Sequence, residues 1–148
     1  MRKLLQIVIL SVFLLNQGLY SQAENWTVTP NPSSGVFQGQ ATINDDAASE
    51  GDWIAAFDED GNIAGAKALT IYEGDAYINL TIYGDDATTP DYDEGMNAGE
   101  NFILKLWDSS EDTIIDYPES FSGWYNNNGL PMDGYDNPLV IYHFSSGV

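Results

Sequence analysis

The strongest constraint on the fold is a series of short β-type runs in which apolar and polar residues alternate. The run AYINLTIYG at 76–84 places Ile78, Leu80 and Ile82 between more polar neighbours, which is the period-two pattern of a strand buried on one face. Similar runs, rich in Val, Ile, Thr, Tyr, Phe and Trp, recur along the chain and are broken by Gly, Asn, Asp and Pro. After the N-terminal segment, no window keeps apolar residues at helical spacing behind a cap.

These runs predict an all-β fold with about nine strands, an antiparallel β-sandwich of the jelly-roll, immunoglobulin or carbohydrate-binding-module type. Asp60-Gly61 lies between two of the runs and predicts a hairpin turn. The predicted strands are 26–29, 37–44, 53–58, 63–72, 76–83, 101–107, 113–117, 121–125 and 139–144.

The N-terminus has the pattern of a secretory signal peptide. Arg2 and Lys3 precede the apolar run Leu4 to Leu15, and Ser21-Gln22-Ala23 follows as a small-x-small cleavage site. The apolar run is short for a membrane-spanning helix, which needs about 20 residues, although a retained membrane anchor is the alternative. We therefore predict a signal peptide at 1–23, one β-sandwich domain at 24–148, a secreted or cell-surface location, and no membrane span after signal removal.

The charge balance is strongly acidic. After signal removal only Lys67 and Lys105 remain against 23 carboxylates. This excludes nucleic acid as a partner, because a nucleic-acid-binding domain needs a basic face. The chain has no cysteine and a single histidine, His143, so thiolate and histidine-rich metal sites lack ligands. Oxygen ligands remain, and they suit calcium.

The loop YGDDATTPDYDEGMNAGE at 83–100 is the main candidate for a calcium site. It carries six carboxylates and no lysine or arginine, and its length is typical of a functional or disordered connection. We expect Asp85, Asp86, Asp91 and Asp93 to bind structural Ca²⁺; a solvated acidic loop is the alternative. Asp58 and Asp60 in DEDGN lack the EF-hand spacing, so the sequence favours a tight hairpin there. Either aspartate can still supply an oxygen ligand to a cation site built mainly by another loop.

A second candidate site is the aromatic and amide-rich stretch SGWYNNNGLPMDGYDNP at 122–138. Exposed aromatic rings among amides suit carbohydrate binding, while Trp124 closing the edge of the sandwich is the alternative. Trp26, Trp53 and Trp107 lie in strand patterns and are assigned to the core. The predicted ligand-binding residues are Trp124, Tyr125, Asn126, Asn127 and Tyr135.

Six segments in a fixed order resemble a known module. They are NWTVTP, VFQGQATIN, GDWIAAFDEDGNIAGA, LTIYGDD, GENFILKLWDSS and DNPLVI, and the resemblance covers essentially all of residues 25–143. The set resembles a β-sandwich module that recurs in cell-surface and secreted proteins of Bacteroidota, often in chains exported by the type IX system. The resemblance implies an all-β extracellular module, similar to adhesion and carbohydrate-binding sandwiches.

We expect no enzyme. With so many acids a carboxylate pair at glycosidase spacing carries no information, and His143 lies in a strand pattern without a nucleophile elbow. The sequence instead predicts a secreted binding or structural module that is stabilised by calcium and contacts other extracellular proteins or glycans. A carbohydrate-binding module is the alternative. A self-assembling filament subunit, joined by strand exchange at an exposed sheet edge, is a further alternative.

Overall fold

The computed structural model describes residues 25–147, and within them it contains nine β-strands and no α-helix. No helix of this part of the chain is therefore long and apolar enough to cross a membrane. The predicted signal peptide lies outside the described residues. The strands are β1 (Ser34–Ile43), β2 (Asp46–Ala47), β3 (Trp53–Phe57), β4 (Ile63–Ala68), β5 (Thr70–Tyr72), β6 (Asp75–Tyr83), β7 (Ile103–Asp108), β8 (Thr113–Asp116) and β9 (Ile141–Phe144).

The strands form two sheets, as expected for a β-sandwich. Sheet A contains β1, β2, β5, β6 and β9, with β1 paired to β6 over seven residue pairs and β6 paired to β5. Sheet B has the order β4-β3-β7-β8 and is antiparallel throughout. β9 is the exception in sheet A, because it pairs parallel to β1. The predicted fold class is confirmed.

Most predicted strands are present, but two are not. Residues 26–29 form no strand; Trp26 instead packs edge-on against Phe57, with ring centroids 6.1 Å apart. The stretch 121–125 contributes only one bridge, between Phe121 and Phe102. The predicted strand at 63–72 is divided into β4 and β5, and the short β2 was missed.

The core lies between the inner faces of the two sheets. In β6 the alternation is as predicted, with Ile78, Leu80 and Ile82 buried. Phe37 of β1 occupies the centre of an aromatic group and stacks on Tyr135 at 5.3 Å. The other rings in contact with Phe37 are those of Phe102, Phe121 and Tyr142. The segment 121–142 therefore covers one side of the core with aromatic side chains.

Three tryptophans predicted to be in the core lie elsewhere. Trp53 and Trp107 are half-buried and sit opposite each other on β3 and β7, facing away from the core, and Trp26 is also half-buried. The core positions are taken by their strand neighbours Ile54 and Leu106, which are fully buried. The prediction was wrong for Trp53 and Trp107 because alternation identifies the two faces of a strand but not which of them is internal, and for Trp26 because its segment forms no strand.

β4 of sheet B packs closely against β6 of sheet A. A Cβ atom on Gly65 would collide with the backbone oxygen of Thr81. Because a backbone atom cannot move aside as a flexible side chain does, we expect Gly65→Ala to lower the free energy of unfolding by about 1–3 kcal/mol. Urea denaturation measures this, with Lys67→Ala, an exposed change on the same strand, as the control. Equal stabilities of the two variants would contradict this close contact.

Candidate cation site at the loop end of the sandwich

The turn between β3 and β4 is built around the buried carboxylate of Asp58. This side chain is fully buried and accepts hydrogen bonds from the backbone N–H groups of Asp60, at 2.9 Å, and Asn62, at 2.8 Å. Gly61 has a φ of 87°, a conformation that glycine adopts without strain. The prediction of a tight hairpin at this position is confirmed, and Asp58 holds it together.

The acidic loop between β6 and β7 is anchored at its base. Met96 is 1% exposed, its N–H donates to the oxygen of Tyr83 at 2.9 Å, and the N–H of Asp85 donates back to the oxygen of Met96 at 2.9 Å. Gly95 lies against the backbone of Gly84, where a Cβ would come within 2.5 Å of its oxygen. Gly95 thus lets the loop fold back on itself.

Hydrogen bonds inside the loop occupy several of its carboxylates. Asp86 accepts from the N–H and the hydroxyl of Thr88, at 2.8 and 2.7 Å. These hydrogen bonds, first that of the backbone, lower the pKa of Asp86. Glu94 accepts from the hydroxyl of Thr89 at 2.6 Å, and Asp85 accepts from the N–H of Glu94 at 3.0 Å. Asp86 and Glu94 therefore stabilise the loop itself.

Four carboxylates from the turn and the loop form an acidic cluster: Asp58, Asp85, Asp93 and Glu100. The pKa of Asp93 is raised, first by partial desolvation and then by the negative charges of Asp58, Asp85 and Glu100. The side-chain amide of Asn62 bridges the cluster, donating to Asp58 at 3.1 Å and to Asp93 at 3.2 Å. Glu100 accepts from the N–H of Glu59 at 3.3 Å. Like charges thus meet where the two loops touch.

The structure brings together only some of the predicted calcium ligands. Asp58, Asp85 and Asp93 belong to the cluster, whereas Asp86 bonds to Thr88 and Asp60 and Asp91 are exposed. Within residues 25–147, no three Asp, Glu or His side chains converge as a formed metal site requires. The calcium assignment therefore stays a prediction.

Sequence reasoning placed neither Asn62 nor Glu100 in the site. Asn62 lies just before β4, and Glu100 lies shortly before β7. Both are in acidic stretches singled out from the sequence, Asn62 in DEDGN and Glu100 at the end of the loop 83–100. The sequence does not show that these two stretches touch, because their contact depends on the sheet order, which places β3 beside both β4 and β7.

Trp124, the main residue of the predicted carbohydrate site, is buried in the core. It is 2% exposed, and its indole N–H donates to the oxygen of Ile82 at 3.2 Å. The expectation of an exposed ring was wrong, and the alternative, that Trp124 closes the edge of the sandwich, agrees with its position. A ring with both faces packed cannot stack on a sugar.

The other predicted sugar-binding residues are also engaged in internal contacts. The hydroxyl of Tyr125 accepts from the N–H of Asp133 at 2.7 Å, and that of Tyr135 donates to the oxygen of Ser122 at 2.8 Å. Asn126 accepts from the N–H of Ser34 at 3.1 Å. Asn127 donates to the oxygen of Pro131 at 2.6 Å. Three of these bonds join parts of the segment 122–138 to each other, and that of Asn126 ties the segment to β1.

A third acidic connection, at 43–52, also serves the fold. Asp52 is 1% exposed and accepts hydrogen bonds from the N–H of Ser49 at 2.8 Å and from the N–H and hydroxyl of Ser109 at 2.9 and 2.8 Å. With three donors its buried charge is well compensated. It ties the turn before β3 to the turn after β7.

Comparison with known proteins does not extend this description. No protein-family model, no curated protein and no solved structure matches the chain. The function must therefore be argued from the geometry and charge of the described residues.

The repulsion at Asp93 predicts a specific pH dependence. A carboxylate whose pKa is raised on folding destabilises the protein at pH values above that pKa and ceases to do so as the pH falls through it. Without divalent cations, we expect Asp93→Asn to raise the melting temperature at neutral pH. The expected gain in the free energy of unfolding is up to about 1 kcal/mol. This gain should shrink as the pH is lowered to about 4.

Asp91→Asn is the matched control, because it removes the same charge from an exposed position of the same loop. Thermal melts of both variants at several pH values test the prediction. If both raise the melting temperature equally, the gain reflects net charge alone and the local repulsion at Asp93 is refuted.

Proposed function

We propose that this chain is a secreted, non-enzymatic binding and structural module of the cell surface or extracellular matrix, stabilised by calcium at the acidic cluster. The observation that carries the proposal is that the amide of Asn62 bridges Asp58 and Asp93, while the pKa of Asp93 is raised, first by partial desolvation and then by the negative charges of Asp58, Asp85 and Glu100. None of the ion pairs within residues 25–147 involves these four carboxylates. Their repulsion is left for solvent ions to offset.

Calcium suits this set of groups better than other cations. Ca²⁺ takes six to eight oxygen ligands with flexible geometry, from carboxylates, amide and backbone carbonyls and water. The four carboxylates and the amide oxygen of Asn62 are ligands of this kind. Asp93 is exposed and Glu100 half-buried, so both have freedom to adjust to an ion. Binding would tie the β3–β4 turn to the loop between β6 and β7.

Thermal melts with and without calcium test the proposal. Extracellular calcium modules bind with dissociation constants near 10⁻⁴ to 10⁻³ M. At a calcium concentration about 100-fold above the dissociation constant, binding to the folded state adds about 2.7 kcal/mol. For a domain of this size that corresponds to a rise of several degrees in the melting temperature. EDTA should reverse the rise.

The variants locate the effect. Asp93→Asn and Glu100→Gln should each reduce the rise with calcium, whereas Asp91→Asn and Asp136→Asn, both at exposed positions, should leave it unchanged. Magnesium at the same concentration should have a smaller effect, because it requires a stricter octahedral geometry. A melting temperature that is the same in calcium and in EDTA would refute calcium stabilisation.

Two other functions predicted from the sequence have less support. Carbohydrate binding through 122–138 loses its main ring, since Trp124 is buried. Strand exchange at a sheet edge gains no support from the first predicted strand, since residues 26–29 are irregular. Self-assembly stays a prediction. The resemblance to surface modules of Bacteroidota also stays a prediction, and it supports a surface location.

A further inference from the structure

The outer face of sheet B is formed by rows of side chains that run across its four strands. One row consists of Ala68, Trp53, Trp107 and Ile114, which are cross-strand partners on β4, β3, β7 and β8. The next row consists of Ala66, Ala55, Lys105 and Asp116, and a third contains Ile63, Phe57 and Ile103. All these residues point away from the core, because their strand neighbours Ile54, Leu104 and Leu106 point into it.

This face is apolar where a polar one is expected. The outer face of an antiparallel sandwich normally carries polar side chains. In these three rows the only charged residues are Lys105 and Asp116, and they pair with each other at 3.4 Å. The ammonium group of Lys105 also lies 5.2 Å from the ring centroid of Phe57. The face is therefore electrically neutral in a protein with a formal net charge of −19.

The aromatic side chains on this face are held in place. The indole N–H of Trp107 donates to the carboxylate of Asp112 at 2.8 Å. Ala55 points outward and yet is completely buried, so its larger neighbours on the same face must lie over it. Trp53 and Trp107 remain partly exposed. A surface ring fixed before binding loses little conformational entropy when a ligand docks on it.

The size of the face argues against a protein partner. Four strands about 4.8 Å apart span about 14 Å, and the five residues of β3 span a similar length. The resulting planar area is on the order of 200 Å², and Trp26 already covers part of it by packing against Phe57. This is well below the ~800 Å² that each partner buries in a stable protein–protein interface. A second copy of this acidic chain would also be repelled. A small, uncharged ligand meets neither obstacle.

We propose that the outer face of sheet B is a binding platform for a neutral oligosaccharide or polysaccharide, with Trp53 and Trp107 as its stacking rings. One face of a pyranose ring is lined by C–H groups, whose partial positive charge is attracted to the negative face of an indole. Stacking also removes apolar surface of both partners from water. The sugar hydroxyl groups remain at the rim, within reach of polar side chains of the β7–β8 turn.

Affinity electrophoresis tests this proposal. The secreted protein is run in native gels containing hydroxyethylcellulose, xylan, glucomannan or laminarin, and is incubated with insoluble cellulose and chitin. At least one of these neutral polysaccharides should retain it, and anionic alginate should not. Trp53→Ala and Trp107→Ala should each weaken retention about tenfold or more, as loss of a stacking anchor does.

Control variants separate loss of binding from loss of folding. Trp107→Tyr keeps an aromatic ring and should keep most of the binding, and circular dichroism melts confirm that each variant is folded. Tyr72→Ala and Tyr92→Ala remove rings that are 62% and 71% exposed elsewhere and should have no effect. The gels are run in calcium and in EDTA, and polysaccharide binding should be the same in both. Failure of the calcium proposal is thereby distinguishable from failure of the polysaccharide proposal.

Three results would overturn the proposal. The first is that none of the neutral polysaccharides retains the wild-type protein. The second is that a folded Trp53→Ala, Trp107→Ala double variant is retained as strongly as the wild type. The third is concentration-dependent self-association in size-exclusion chromatography that the same double variant abolishes, because the face would then be an interface between copies.

Discussion

The structure depends on burial of alternate apolar side chains between two sheets, and this burial determines where the acidic residues can lie. Ionised carboxylates are costly to bury without partners, so they are excluded from strand interiors. Within residues 25–147 the four acids assigned to strands, Asp46, Asp75, Asp108 and Asp116, all occupy strand ends. The remaining acids lie in turns and loops. A large negative charge is thereby concentrated at the connections, while the sheets stay nearly neutral.

This separation gives different properties to the ends and to the faces of the sandwich. Where the turn 58–62 touches the loop 84–100, partial desolvation and then the charges of carboxylates from distant parts of the sequence raise the pKa of Asp93. The buried carboxylates of Asp52 and Asp58 are each compensated by several hydrogen bonds from their own surroundings. On the outer face of sheet B, by contrast, the only charged residues of the three rows are Lys105 and Asp116, which pair with each other. The proposed cation site and the proposed stacking platform thus lie in separate regions.

The sequence was sufficient for the fold class and for most strands, since period-two alternation and turn residues are local signals. It also identified both segments that build the acidic cluster. It failed where the answer depends on three-dimensional order. Trp124 is in an irregular segment and is buried, whereas Trp53 and Trp107 are in strands and face outward. A strand pattern does not reveal which face another sheet will cover, and an irregular, amide-rich segment can still pack tightly when its polar groups bond to each other.

The most direct measurement is a calcium titration followed residue by residue through backbone amide resonances in NMR spectra. If the acidic cluster binds calcium, the amides of 58–62 and 84–100 should shift together and saturate with one dissociation constant, while those of 44–52 and 108–112 stay in place. Shifts confined to the latter loops, or spread evenly over all acidic residues, would contradict a site at the contact of the β3–β4 turn and the loop between β6 and β7.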